Sequence, residues 1–322
     1  MGVNRSGRRT YSHLADRRRV PSSYEIASSA LLYYPERGFE LRTPVAEWYR
    51  THQDGSALAG GAWEDFSDPA ATTYATYVNR QRDREVALDL VLVGVDDAEP
   101  TDAWLEVLAS VFAPLRYPGH ALMMGASYVG SMAPGGRVAI AAAFWAADEM
   151  RRVHRIARRL ADLRAAHPGL GDDARQRWER DGTWVELRRL LERLLVTYDW
   201  GECFAALDLV VKPLVDHLVD VELAAAAREA GDRSLATVLT SLAEDAAWQR
   251  AWSVELVRTA IDDAGRAALA EWATAWTDPA IDAIGPLAVA IGGGDRSSAS
   301  ERTEAATAAQ REHLVRCGLA EA

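Results

Sequence analysis

From residue 45 to about residue 290, apolar positions recur every three or four residues, the period of helices that turn one face to a core. The clearest stripe is Leu187, Leu190, Leu191, Leu194, Leu195 and Tyr198, with Glu186, Arg188, Arg189, Glu192 and Arg193 between its members. The spacing predicts helices over 68–95, 102–113, 120–132, 137–167, 184–198, 202–230, 234–263 and 264–276. The 137–167 segment starts apolar all round. It then turns amphipathic, with Met150, Val153, Ile156, Ala157, Leu160 and Leu163 expected inside and the arginines outside. Pro213 lies within the 202–230 helix, where a missing donor predicts a kink near Leu209. There is no alternating strand pattern and no repeat of fixed period, so the fold class is all-α with long helices.

Both ends read differently. In 1–44, Pro21, Pro35 and Pro44 punctuate an aromatic stretch that includes Tyr11, Tyr24, Tyr33, Tyr34 and Phe39. Six arginines crowd its first twenty residues. This predicts an extended arm lying either on this chain's own body or on a partner, its arginines suiting an acidic protein surface better than nucleic acid. The helical body is expected over 45–290. After it, Gly292-Gly293-Gly294 predicts a flexible linker and a short, weakly packed helix within 291–322.

With 322 residues, 49% of them apolar, the chain can bury a full core. Its 36 basic and 47 acidic residues give a net charge of −11, which argues against a nucleic-acid or anionic-membrane partner. The longest purely apolar run, residues 138–147, is far short of the roughly 20 needed to span a bilayer. Cys203 and Cys317 are too few for a disulfide framework, and a reduced cytoplasmic setting is expected.

Long buried helices raise the possibility of a carboxylate-bridged di-iron site, which takes a Glu from each of two helices and a Glu-x-x-His pair from each of two others. The residues three before the seven histidines are Thr10, Tyr49, Tyr117, Arg151, Arg164, Leu214 and Gln310. None is a carboxylate, so no metal site and no catalytic residue is expected. The Asp-Asp pairs at 96–97, 172–173 and 262–263 lack a further acid at the spacing that helical metal-dependent cyclases use, and read as caps. Cys203 reads as core. Asp148-Glu149, at the end of the apolar run, reads as a structural pair tied to Arg151 or Arg152. Asp208, Lys212, Asp216 and Asp220 fall at four-residue spacing, with the only lysine of the chain between carboxylates. That stripe reads as a solvated face or a polar seam against a partner. The tryptophans at 248, 252, 272 and 276 read as packing and interface.

One family gathers these features. The ordered segments are Arg9-Thr-Tyr-Ser-His-Leu14, Pro21-Ser-Ser-Tyr-Glu-Ile26, Trp48-Tyr49, Trp63-Glu-Asp-Phe-Ser-Asp-Pro69, Pro114-Leu-Arg-Tyr117, Ser127-Tyr-Val-Gly-Ser-Met-Ala-Pro134, Asp199-Trp-Gly-Glu202 and Val210-Val-Lys-Pro213. Over residues 8–280 the chain resembles the β subunit of the hydroxylase component of soluble bacterial multicomponent di-iron monooxygenases of the toluene, phenol, alkene and propane type. The resemblance implies a ferritin-like, ribonucleotide-reductase-like bundle without iron ligands. It also implies an iron-bearing α subunit as partner, as αβ or α2β2 and with or without γ. A separate effector and an NAD(P)H-linked reductase would act on that complex, and the arm would extend over α. Arg9, Tyr11, Tyr24, Tyr33, Trp48, Trp63 and Lys212 are the expected partner-contacting residues. The alternative is a stand-alone helical enzyme or an adaptor, with Asp148 and Glu149 as its acids.

Overall fold

A computed structural model describes residues 44–321. The arm, with Arg9, Tyr11, Tyr24 and Tyr33, lies outside the described residues. The chain divides into two units, 1–50 and 51–322. In the first, the described part is one short helix, α1 (Pro44–Tyr49), on which Trp48 is 37% exposed.

The second unit is helical, with no strand among the described residues. Its helices are α2 (Tyr74–Val93), α3 (Asp102–Val107), α4 (Arg116–Met132), α5 (Gly136–Ala166), α6 (Ala174–Arg180) and α7 (Val185–Leu195). A composite helix, α8, follows over 200–229, then α9 (Arg233–Thr259), α10 (Asp263–Ile291) and α11 (Arg296–Cys317). Helix α2 starts at a capping box, in which Thr73 and Thr76 exchange side-chain and backbone hydrogen bonds. Asp199, Asp232, Asp262 and Asp295 cap α8 to α11 through side-chain oxygens. Of the paired aspartates, Asp262 therefore has the capping role its position suggests.

Helices α4, α5, α9 and α8 pack as a ring of four, each against the next. The α4–α5 contact is the closest, because small residues line it: a Cβ placed on Gly130 would lie 3.2 Å from that of Ala142. Trp252 of α9 is the aromatic hub. It is fully buried and meets Trp145 of α5 at 6.0 Å, Phe204 of α8 at 6.1 Å and Phe66 at 6.2 Å between ring centroids. Leu187, Leu190, Leu191 and Leu194 of α7 are buried, as their stripe predicts.

Four expectations change. Where a kink near Leu209 is expected, helix α8 instead widens into a π-helical stretch and runs through Pro213, as the sequence predicts, in five pieces: α-helical Trp200–Phe204, π-helical Ala205–Val211, α-helical Lys212–Asp216, π-helical His217–Leu223 and α-helical Ala224–Glu229. The wide turn ahead of Pro213 accommodates a residue with no donor. Helix α10 continues past Trp276 through Pro279 and Pro286 to Ile291, because Ala280, Ala283, Ile284, Leu287 and Ile291 keep its inner face buried. The three glycines form a defined turn, with Gly293 at φ 64° and Gly294 at φ 95°, and the Gly294 N–H donates to the Val289 carbonyl at 3.1 Å. The helix beyond is 22 residues long and buries Ala299, Ala306, Gln310, His313 and Cys317. Finally, Arg151, Arg152 and Arg155 of α5 point inward, since α2, α8 and α9 present carboxylates to them.

Candidate functional site: a buried ion network

Helix α5 leaves its apolar half at Asp148-Glu149. Neighbours on a helix point about 100° apart, so the two acids meet different helices. Asp148 faces α2 and α9. It is 3% exposed and accepts hydrogen bonds from the Tyr77 hydroxyl (2.7 Å), Gln81 Nε2 (2.7 Å) and Gln249 Nε2 (3.2 Å). No lysine or arginine forms an ion pair with it among the described residues. Burial and the nearby charge of Asp245 push its pKa up to about 7, against the pull of the Tyr77 and Gln249 hydrogen bonds. Burial, followed by the charge of Asp148, also raises the Tyr77 phenol.

Glu149 faces α8. Its Oε1 lies 2.6 Å from Lys212 Nζ, which also donates to both Asp216 oxygens at 2.8 Å. Arg152 lies 3.4 Å from Glu149 Oε2 and donates to Asp216 (2.9 Å) and to both oxygens of Asp220 (2.8 and 3.0 Å). Arg250 of α9 closes the group, 3.5 Å from Asp216. Burial opposes charge on Asp216, but Lys212, Arg152 and Arg250 outweigh it and hold the carboxyl below the usual range. Asp220 has Arg152 but also Asp216 beside it, and burial wins there, raising it to about 6. Burial works against the charged forms of Lys212 and Arg152, yet the surrounding carboxylates hold both above their usual values.

The sequence reading of the Asp208–Asp220 stripe is therefore overturned. Lys212 and Asp216 are each 3% exposed, so this is neither a solvated face nor a seam against a partner, and Lys212 is removed from the partner contacts. It is buried because α5 and α9 pack over it, bringing Glu149 and Arg152 and then Arg250 against Lys212, Asp216 and Asp220. Asp148-Glu149 is a structural pair, but its main partners are Lys212 and three uncharged side chains; only Glu149 reaches Arg152. Trp63 is half-buried and stacks edge-on to Trp200 at 5.2 Å within the same unit.

Tyr77, Gln81, Asp245, Gln249 and Arg250 were missed by sequence reasoning. One signal could have found part of the set: Gln81, Glu85 and Asp89 on α2 share the four-residue spacing of Arg151, Arg155 and Arg159 on α5. Glu85 pairs with Arg151 (2.7 Å) and with Arg155, and Asp89 pairs with Arg155 at 2.6 Å.

Chemically the network is closed. Burial raises Cys203 to about 12 and also raises Cys317, so neither offers a ready thiolate. His313 meets Ser253 Oγ (3.4 Å) and Asp208 Oδ2 (3.6 Å) on the same ring nitrogen, and its Nδ1 has no hydrogen-bond partner. A relay needs the two neighbours on opposite nitrogens.

The comparisons agree with the fold. Residues 48–264 match the methane/phenol/alkene hydroxylase family model. The chain is 33% identical over 280 residues to the hydroxylase component subunit beta of the toluene-4-monooxygenase system of Ectopseudomonas mendocina, covering 83% of this chain and 86% of that one. It is also 26% identical over 200 residues to the oxygenase component subunit alpha of the Xanthobacter autotrophicus Py2 alkene monooxygenase system, covering 59% of this chain and 39% of that one. Among solved structures, toluene 4-monooxygenase with toluene bound superposes with a TM-score of 0.74 at 30% identity, covering 91% of this chain and 97% of that one. Phenol hydroxylase from Pseudomonas sp. OX1 shares the fold, with a TM-score of 0.71 at 18% identity and 95% and 97% coverage. These likenesses and the ring of four long helices define a hydrocarbon-hydroxylase type of bundle. The chain belongs to the methane/phenol/alkene hydroxylase family.

The di-iron centre of ferritin-like bundles needs donors from all four helices. This interior does not fit one. Helix α4 contains no Asp, Glu or His in its inward positions, which are Leu122, Gly125, Ala126 and Val129. Glu149 of α5 and Asp216 and Asp220 of α8 are already engaged by Lys212 and Arg152.

Proposed function

We propose that this chain is the structural β subunit of a soluble di-iron hydroxylase that oxygenates an alkene, alkane or aromatic hydrocarbon. In this reading the dioxygen chemistry, with electrons drawn from NAD(P)H, belongs to an α subunit that carries the iron. The β chain is cytoplasmic, holds no cofactor, and is inactive alone. It stabilises α by packing a second bundle against it, in an αβ or α2β2 assembly on which an effector and a reductase act. The N-terminal arm, with Arg9, Tyr11, Tyr24 and Tyr33, and the adjoining Trp48 and Trp63 contribute to that contact.

One observation carries the reading. Lys212 and Arg152 stand among Glu149, Asp216 and Asp220 inside the helix ring, so the protein's own cations pair with these buried carboxylates. A bundle built this way keeps its helices in register without metal. It is suited to support and not to turnover.

The test is co-expression with the larger chain from the same source. The expected result is a complex in equal amounts whose iron follows the larger chain. Hydrocarbon oxidation should require both chains and the reductase. Iron or turnover in the small chain alone would overturn the reading.

A further inference from the structure

Helix α2 is the least buried long helix of the bundle: of its 20 residues only Tyr77 and Leu88 are buried. Its C-terminal half is nevertheless apolar on the outside. Val86 and Val91 are each 54% exposed, Leu90 is 71% and Val93 is 87% exposed. Isolated exposed apolar residues are ordinary, but a contiguous patch on one helix marks an interaction site.

Beside this patch runs an open groove of about 750 Å³ between α2, α9 and the end of α8. Ala87, Leu88, Val91 and Ala236 give it apolar walls. Arg84, Arg228 and Arg233 lie along it with a single carboxylate, Glu244. Arg84 is engaged by Glu244 and Asp245. Arg228 donates to the Thr240 hydroxyl at 2.9 Å, and neither Arg228 nor Arg233 has an ion-pair partner among the described residues. On a chain of net charge −11, two uncompensated arginines at the edge of an apolar trough are a local exception. No buried polar atom without a partner belongs to a residue of the groove, so it lacks the inward polar anchors of a small-molecule site.

Charge also rules on the occupant. Residues 1–43 carry eight arginines against four acids, the wrong sign to be drawn to Arg228 and Arg233. An amphipathic helix laid in a groove matches apolar anchors to the floor and charges to the rim. We propose that the C-terminal half of α2 and the groove beside it seat an amphipathic helix of the partner subunit, apolar on one face and edged with Asp or Glu. This rests on the reading of the chain as one subunit of a hydroxylase.

The experiment uses the full chain, co-expressed with its larger partner, and measures assembly by native mass spectrometry and by affinity at two salt concentrations. Three variants are compared: Leu90→Asp, the pair Arg228→Glu with Arg233→Glu, and Val196→Asp, an exposed apolar position on another part of the surface. All change exposed side chains, and circular dichroism checks that each folds. Leu90→Asp should weaken the complex by at least about tenfold, the size of a typical interface anchor. The double arginine variant should weaken it and flatten its salt dependence, whereas Val196→Asp should leave it unchanged. Wild-type-like affinity in both groove variants would overturn the proposal while the subunit reading stands. A wild-type chain that forms no complex would overturn the subunit reading itself. A dimer of this chain alone, broken by Leu90→Asp, would assign the face to a second copy and overturn the proposed occupant.

Discussion

Asp148 and Glu149 are consecutive residues, equally buried, on one helix, yet they live in opposite electrostatic settings. Glu149 is bonded to a cation in a cluster where lysine and arginine face carboxylates. Asp148 has only uncharged donors, and its pKa rises to about 7. The difference shows that burial does not decide a carboxyl group's state by itself. What the next helix presents decides it, and a rotation of one residue changes the next helix.

The largest effect should come from removing the cation of the charged cluster. Lys212→Met leaves Glu149 and Asp216 short of a partner in a dry interior and should cost about 3–5 kcal/mol in chemical denaturation. Adding Glu149→Gln should return part of that loss, because the orphaned charge goes with it. A single variant no worse than a surface substitution would end the account of the cluster.

The uncharged side is broken by pH. A carboxyl with a pKa of about 7 when folded and about 4 when unfolded binds its proton more tightly in the native state. Its contribution is therefore present below about pH 4 and is lost as pH rises through about 7. Wild-type stability should fall between pH 5 and pH 8 by up to about 3 kcal/mol more than that of Asp148→Asn, at about 1.4 kcal/mol per unit over the two units up to pH 7. Parallel pH profiles for the two proteins would show that Asp148 is ionised throughout. A smaller change, Tyr77→Phe, deletes one of its three hydrogen bonds and should cost about 1–2 kcal/mol. Arg188→Ala, which breaks an i,i+4 pair with Glu192 on the outside of α7, should cost less than about 0.5 kcal/mol. It sets the scale for charges in water.

The helices were legible because their apolar period survives in the sequence, and the capping aspartates stand where caps belong. The resemblance to hydroxylase β subunits was legible from short ordered motifs. The interior network was not, because a charged side chain at helical spacing looks the same whether it faces water or another charged helix. Arg151, Arg152 and Arg155 read as outward for that reason, and Lys212 read as a surface residue. Their burial depends on Glu85, Asp216, Asp220 and Asp245, and three helices carry those acids from distant parts of the chain. Proline misled in the same direction at Pro279 and Pro286, which lie beyond the expected end of the 264–276 helix. Its local penalty is visible in the sequence, while the packing that offsets it is not.

Helix α11 also bears on the order in which the molecule is made. Gln310 reaches the Leu209 carbonyl at 3.3 Å, inside the π-helical part of α8, and His313 lies against Asp208. On a ribosome the four-helix ring emerges well before residues 296–317 do. Until those residues arrive, the Asp208 side of α8 stays uncovered, so the nascent bundle carries an open seam that only α11 closes.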